Sequence, residues 1–197
     1  MESEKTSGPM IRIFARSVGL FLIVMAAHAG EKPPAPAIGD ELDRYKEVPV
    51  YFNGNDIATS HGMHLSQKGF YYGQKWQCVE FVKRFLHDVK GHVMPDGYGH
   101  AKDYFDDSVP DGGWNEARGM FQYRNGGKYK PQPDDLIVFD GKYGHVAIVT
   151  EVKADTIEII QQNRKLKTRE THALTEKDAH WRVGEKTGPL GWLRVKS

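Results

Sequence analysis

Only one cysteine, Cys78, stands in the 197 residues, so no disulfide can form within the chain and a disulfide-stapled fold is excluded. Neither sign of charge dominates: 27 lysines and arginines face 26 acids, a formal net charge of +1. That balance supplies no long-range basic field, and nucleic acid is not an expected partner. The basic residues Arg164, Lys165, Lys167 and Arg169 alternate with Thr168 and Glu170 and read as a solvated segment. No hydrophobic run is long enough to span a bilayer, the apolar stretch from Val18 to Ala27 being too short. No appended repeat resembles a targeting module. With 39% hydrophobic and 27% charged residues, the composition is that of one globular domain.

The N-terminus carries a processing signal. Arg12 and Arg16 precede the apolar stretch, and Ala27-His28-Ala29 supplies a small-x-small cleavage pattern, so residues 1–29 read as a signal peptide. Glu2 and Glu4 suit such a signal poorly, whereas a start at Met10 would give a conventional one. The expectation is a periplasmic or secreted protein with no stable membrane anchor after cleavage. Residues 30–47 read as a linker or N-terminal arm, proline-rich at first, with Asp40 to Lys46 as a short helical turn. The folded domain is then 48–197, with Val48 to Phe52 as a strand. Export also sharpens the question of Cys78, because structural cysteines in an oxidising compartment usually come in pairs.

The stretch around Cys78 has helical periodicity. Val79, Phe81, Val82, Phe85, Leu86 and Val89 recur at three- and four-residue spacings, charged residues fill the other positions, and Gly91 follows as a terminator. Cys78 thus falls in the first turn, where unpaired N–H groups and the helix dipole favour a thiolate. The alternative reading of a lone cysteine is a small buried hydrophobe. His61 and His64 have a spacing that suits a metal, but no third ligand is evident and no metal site is expected.

Beyond the helix, Ala101 to Phe105 reads as a short helix and the Gly-, Asp- and Asn-rich remainder through Gly127 as loop. Packing is the expected job of Trp114, Phe121, Tyr123 and Tyr129 there. Strands follow at Leu136 to Phe139, His145 to Val152 and Thr156 to Gln162, and Gly191 to Val195 closes the chain. A three-residue turn at Lys153-Ala154-Asp155 would pair Val152 with Thr156. Counting back then sets His145 opposite Asn163, with Gln161 on the same face. Arg164 to Lys186 is charged and weakly patterned. A cysteine at a helix start, a histidine on a later strand and an amide on the next have the parts of a papain-like nucleophilic site.

The blocks KWQCVEF, RFL, YGHVAIVTEV, IEIIQQN and the terminal LGW together resemble the CHAP family, the cysteine, histidine-dependent amidohydrolases/peptidases. Within it the likeness is nearest to the amidase domain of glutathionylspermidine synthetase/amidase, over roughly residues 48 to 195. The resemblance implies Cys78 as nucleophile, His145 as base and Gln161 as the third catalytic residue, at a position where that pattern has glutamate. Asn163 is the alternative third residue, and Gln77 with Cys78 supplies the oxyanion hole. Asp134 stands where related domains tend to have glycine, a place where aspartate tolerates a left-handed turn. The implied fold is α+β and papain-like, a nucleophile-bearing helix packed on an antiparallel sheet. The implied activity is amide hydrolysis by a monomer through a thioester, without cofactor or metal, as in a thiol protease. Export points to a peptidoglycan peptide as substrate. A glutathionylspermidine-type γ-glutamyl/polyamine amide, or a domain that binds wall peptide without cutting it, is the alternative.

Overall fold

The structure, a computed structural model, describes residues 34–185 and 187–196. The expected signal peptide lies outside the described residues. Two short hairpins come first, β1 (Glu41–Tyr45) with β2 (Val48–Tyr51) and β3 (Met63–Leu65) with β4 (Tyr71–Gln74). Helix α1 (Cys78–Lys90) and a single 3-10 turn (Ala101–Tyr104) follow. The remaining strands are β5 (Gly113–Asn115), β6 (Met120–Arg124), β7 (Leu136–Phe139), β8 (His145–Val152), β9 (Thr156–Ile160), β10 (Arg169–Lys177), β11 (His180–Val183) and β12 (Gly191–Arg194). These eight form one antiparallel sheet in the order β11-β10-β9-β8-β7-β12-β6-β5. The fold is α+β in kind and mostly β in content.

Strand alternation divides the core into two layers. Leu136, Val138, Val146, Ile148 and Ile160 face α1, which buries Phe81, Val82, Phe85 and Leu86 against them. Ile137, Ala147, Val149, Ile157, Ile159 and Trp192 pack on the opposite face with Leu174 and Val183. The helix begins and ends where its sequence dictates: Cys78 is its first residue and Gly91 caps it in the left-handed conformation, φ 60°. Asp134 also takes the left-handed turn expected of it, φ 76°, and its carboxylate accepts from Tyr45 Oη at 2.9 Å and from Lys46 and Lys90.

Three sequence expectations are corrected. Asp40 to Lys46 does not form a helical turn: Glu41–Tyr45 is β1, folded onto β2 by Lys46 and Glu47, both at positive φ. The charged stretch after Arg164 holds the β10–β11 hairpin, turned by Asp178 and Ala179 at φ 53° and 58°. Both tight turns need two left-handed residues, and neither contains the Asn or Gly that normally marks one. The third correction is the β5–β6 hairpin, which lies within the stretch read as loop.

The candidate active site

The first turn of α1 is held by a buried polar cluster. Glu80 is fully buried, accepts from Gln162 Nε2 at 2.7 Å and from Arg84, and meets His64 Nδ1 at 2.6 Å. Gln162 also donates to the Gln77 carbonyl at 3.0 Å and accepts from the Tyr51 N–H at 2.8 Å. Helix start, β2 and the end of β9 are thereby joined through two side chains. Gly73 lets β4 approach closely, since a Cβ there, at φ 146°, would lie 3.0 Å from Glu80 Cβ.

Cys78 sits at this junction, 9% exposed. Burial pushes its thiol up, against the opposing pull of the N–H groups of Val146, Val79 and Cys78 itself and of the Arg164 charge. The helix terminus therefore acts as expected in sign, and burial outweighs it. In the free protein the neutral thiol is favoured, which corrects the thiolate expected from sequence. The Val146 N–H that faces the sulfur belongs to the residue next to His145.

His145 opens β8 directly after Gly144, whose φ is 70°. A Cβ on Gly144 would come within 2.5 Å of the Lys102 backbone nitrogen, so only glycine lets the 3-10 turn close over this loop. His145 Nε2 is 2.9 Å from Gln161 Oε1. Among the described residues no hydrogen bond joins the imidazole to Cys78; the two groups meet the start of β8 separately. Burial, with the Arg164 charge, pushes His145 down to about 4 despite the Gln161 contact and the Glu170 charge. At neutral pH the imidazole is thus uncharged and able to take a proton.

The register that brings His145 to Gln161 differs in detail from the one expected from the sequence. Val152 pairs with Ile157, one residue beyond the expected partner, and a bulge between Val149 and Glu151 then restores the count, so that Val149 pairs with Ile159 and Ile148 with Ile160. Gln161 follows on the expected face. Asn163 does not, because it turns left-handed at φ 65° and leaves the strand. Its Nδ2 donates to Gln77 Oε1 at 2.6 Å and its Oδ1 accepts from Asn53 at 2.8 Å. The Gln77 amide in turn donates to the Thr59 carbonyl at 2.8 Å. Gln77 is therefore a braced side chain at the helix start, and its N–H group is already engaged. His61 and His64, the pair with metal-like spacing, bond instead to the Asn53 carbonyl and to Glu80.

A cleft of about 840 Å³ opens beside the imidazole, lined among others by His145, Gln161, Arg164, Glu170 and His172. Cys78 is not on its wall. Sequence reading places Glu170 in a solvated segment and His172 in a charged one, because the strand that carries them has no apolar alternation. It passes over Glu80 and Gln162. Glu80 with Arg84 four residues on was a legible helix pair, but its burial was not.

Comparison with known proteins follows the same residues. Residues 68–163 match the model of the CHAP domain. The chain carries a CHAP domain. The matched span includes Cys78, His145 and Gln161. The chain is 32% identical over 161 residues to trypanothione synthetase of Crithidia fasciculata, an alignment covering 74% of this chain and 24% of that protein. It is 35% identical over 108 residues to the bifunctional glutathionylspermidine synthetase/amidase of Escherichia coli (strain K12), covering 47% of this chain and 16% of that protein. A third relative, glutathionylspermidine synthase of Crithidia fasciculata, is 28% identical over 149 residues, 64% of this chain and 19% of that protein. The chain thus spans about a quarter or less of the length of the curated relatives it matches.

Proposed function

We propose that this CHAP domain is a cysteine-dependent amidohydrolase of papain-like design. The observation that carries the reading is the imidazole of His145, uncharged at neutral pH and oriented by Gln161, at the strand end where the Cys78 thiol meets the Val146 N–H. In the reaction His145 takes the thiol proton as the sulfur attacks the amide carbonyl, and the Cys78 N–H at the uncapped helix start stabilises the oxyanion. The C–N bond breaks as the proton passes to the leaving amine, which leaves a thioester. Water then cleaves it, giving a proton to His145 that returns to the departing sulfur.

The substrate we favour is a peptidoglycan peptide, supported by the export signal read in residues 1–29, with the product released outside the cytoplasm. A second reading, a small amide of the glutathionylspermidine type, is supported by the similarity to a bifunctional glutathionylspermidine synthetase/amidase. Mass spectrometry of purified peptidoglycan, and separately of glutathionylspermidine, after incubation with residues 30–197 beside Cys78→Ala decides between them. Thiol-dependent wall fragments establish the first. Thiol-dependent spermidine release establishes the second. Neither product from a folded protein overturns the assignment as a hydrolase of these amides.

A further inference from the structure

Gln161 is held at both ends. Its Oε1 meets His145 Nε2 at 2.9 Å, while its Nε2 donates to Glu170 Oε2 at 3.3 Å and to the Lys167 carbonyl at 3.2 Å. Two acceptors at one end of an amide fix which end is nitrogen. The oxygen must then face the imidazole. An oxygen accepts only, so His145 Nε2 must carry a proton, and in the neutral ring Nδ1 is left as the free base. Orientation of the base thus starts from Glu170, on the strand beyond Gln161.

Glu170 also supplies what an amide lacks. A neutral glutamine sets the ring's tautomer but stabilises imidazolium less than a carboxylate does. Glu170 is partly buried on β10, in register with Ile159 of β9, and its other oxygen is 3.0 Å from Lys167 Nζ. Its carboxyl is held below the ordinary range; burial opposes this, and the Lys167 and Gln161 hydrogen bonds with the His172 charge prevail. It therefore remains an anion down to acid pH. Other charged groups bear on the same ring. Arg164, from the segment after β9, opposes Glu170 in its effect on His145, and Asp140 and Lys142 stand with His172 along the cleft. Cys78 lies beyond the Val146 N–H. Among the described residues, Glu170 is the anion that touches the orienting amide.

We infer that Glu170 is a positioning residue that, through Gln161, fixes the His145 tautomer and lends the imidazolium negative charge when the ring takes up the thiol proton. The inference rests on His145 being the base of the proposed hydrolase. It makes the imidazole, the amide and Glu170 one relay across β8, β9 and β10.

The test reads the ring directly, without turnover. In protein labelled with 15N-histidine, the His145 signals are assigned against His145→Gln, and pH titration gives its proton affinity and tautomer. Glu170→Gln keeps an acceptor and removes the charge, so the proton affinity of His145 falls three- to tenfold. Glu170→Asp falls less. The exchange Gln161→Glu with Glu170→Gln moves the carboxylate onto the ring and raises the affinity at least tenfold above wild type. A His145 titration in Glu170→Gln that superimposes on wild type overturns the inference. So does a wild-type ring protonated at Nδ1 rather than Nε2. If the titrations shift as stated while neither peptidoglycan nor glutathionylspermidine is cleaved, the relay stands and the proposed hydrolase fails. Cys78-dependent cleavage with unmoved titrations has the opposite meaning.

Discussion

Gln162 donates to Glu80 across 2.7 Å, from the end of β9 to the first turn of α1, and neither side chain reaches solvent. The next residue back, Gln161, faces the opposite way and holds His145. One dipeptide thus binds the helix that carries the thiol with its second residue and orients the imidazole with its first. The two residues follow directly on β9, and their side chains leave the backbone on opposite sides. This division couples the placement of the two reacting groups to a single backbone segment.

The buried pair of Glu80 and Arg84 therefore governs stability as well as placement. Glu80→Ala leaves the Arg84 guanidinium buried with the Pro49 carbonyl and Gln162 Oε1 as its remaining partners. Removal of one member of a buried ion pair costs about 3–5 kcal/mol. The expected result in urea denaturation is a loss of that size for Glu80→Ala. The double variant Glu80→Leu/Arg84→Met, which leaves no stranded charge, should lose clearly less than the single one.

Acid stability follows from His145. Its folded pKa is depressed from 6.5 to about 4, so between these values the unfolded chain binds a proton that the folded chain rejects. Stability therefore falls as pH drops from about 6.5 to about 4 and levels off below, a contribution of roughly 3 kcal/mol at 1.36 kcal/mol per unit. Urea midpoints measured across this range should fall steeply for wild type and less for His145→Gln. Equal slopes would show that the imidazole is not the group responsible.

Much of this arrangement is legible in the sequence, for identifiable reasons. The helix is written in its apolar spacing and in Gly91, and β7, β8 and β12 in short apolar runs. Two tight hairpins escaped because Lys46-Glu47 and Asp178-Ala179 adopt left-handed turns without the residues that advertise them. The pairing of His145 with Gln161 follows from the sequence because a turn one residue longer than expected and a bulge that the pattern does not reveal offset each other. Asn163 was misplaced because strand counting continued through a residue that has already left the strand. The protonation of Cys78 was inverted for a different reason. A helix start is visible in sequence, but the depth of burial that outweighs it is a property of the packed whole.

That inversion predicts the thiol's reactivity. A Cys78 pushed up by burial gives slow alkylation by iodoacetamide at pH 6–7, slower than a small model thiol, with a rate that climbs into the alkaline range. The measurement is the pH–rate profile of carboxamidomethylation followed by intact mass. A rate at pH 6 above that of the model thiol would mean that a thiolate–imidazolium pair forms in the free protein, against the burial seen here.

The last prediction concerns Gly144, which touches no reacting atom. A methyl group there would meet the Lys102 nitrogen at 2.5 Å and the Lys102 Cβ at 2.7 Å, at a φ of 70° that side chains disfavour. Strain of that kind costs on the order of 1–3 kcal/mol, and the loop relieves it by moving away from the 3-10 turn. His145 is the next residue in the chain, so the ring moves with it. A displacement of about 1 Å at a reacting group costs about a hundredfold in rate. Gly144→Ala should therefore lower kcat at least tenfold while remaining folded by circular dichroism at 25 °C. The neighbouring Gly141 is also at positive φ, 140°, but an added methyl there stays 3.8 Å from the nearest atom, so Gly141→Ala carries backbone strain without the clash and should lose less. If both variants retain full activity, the close approach of Gly144 to Lys102 does not position the base.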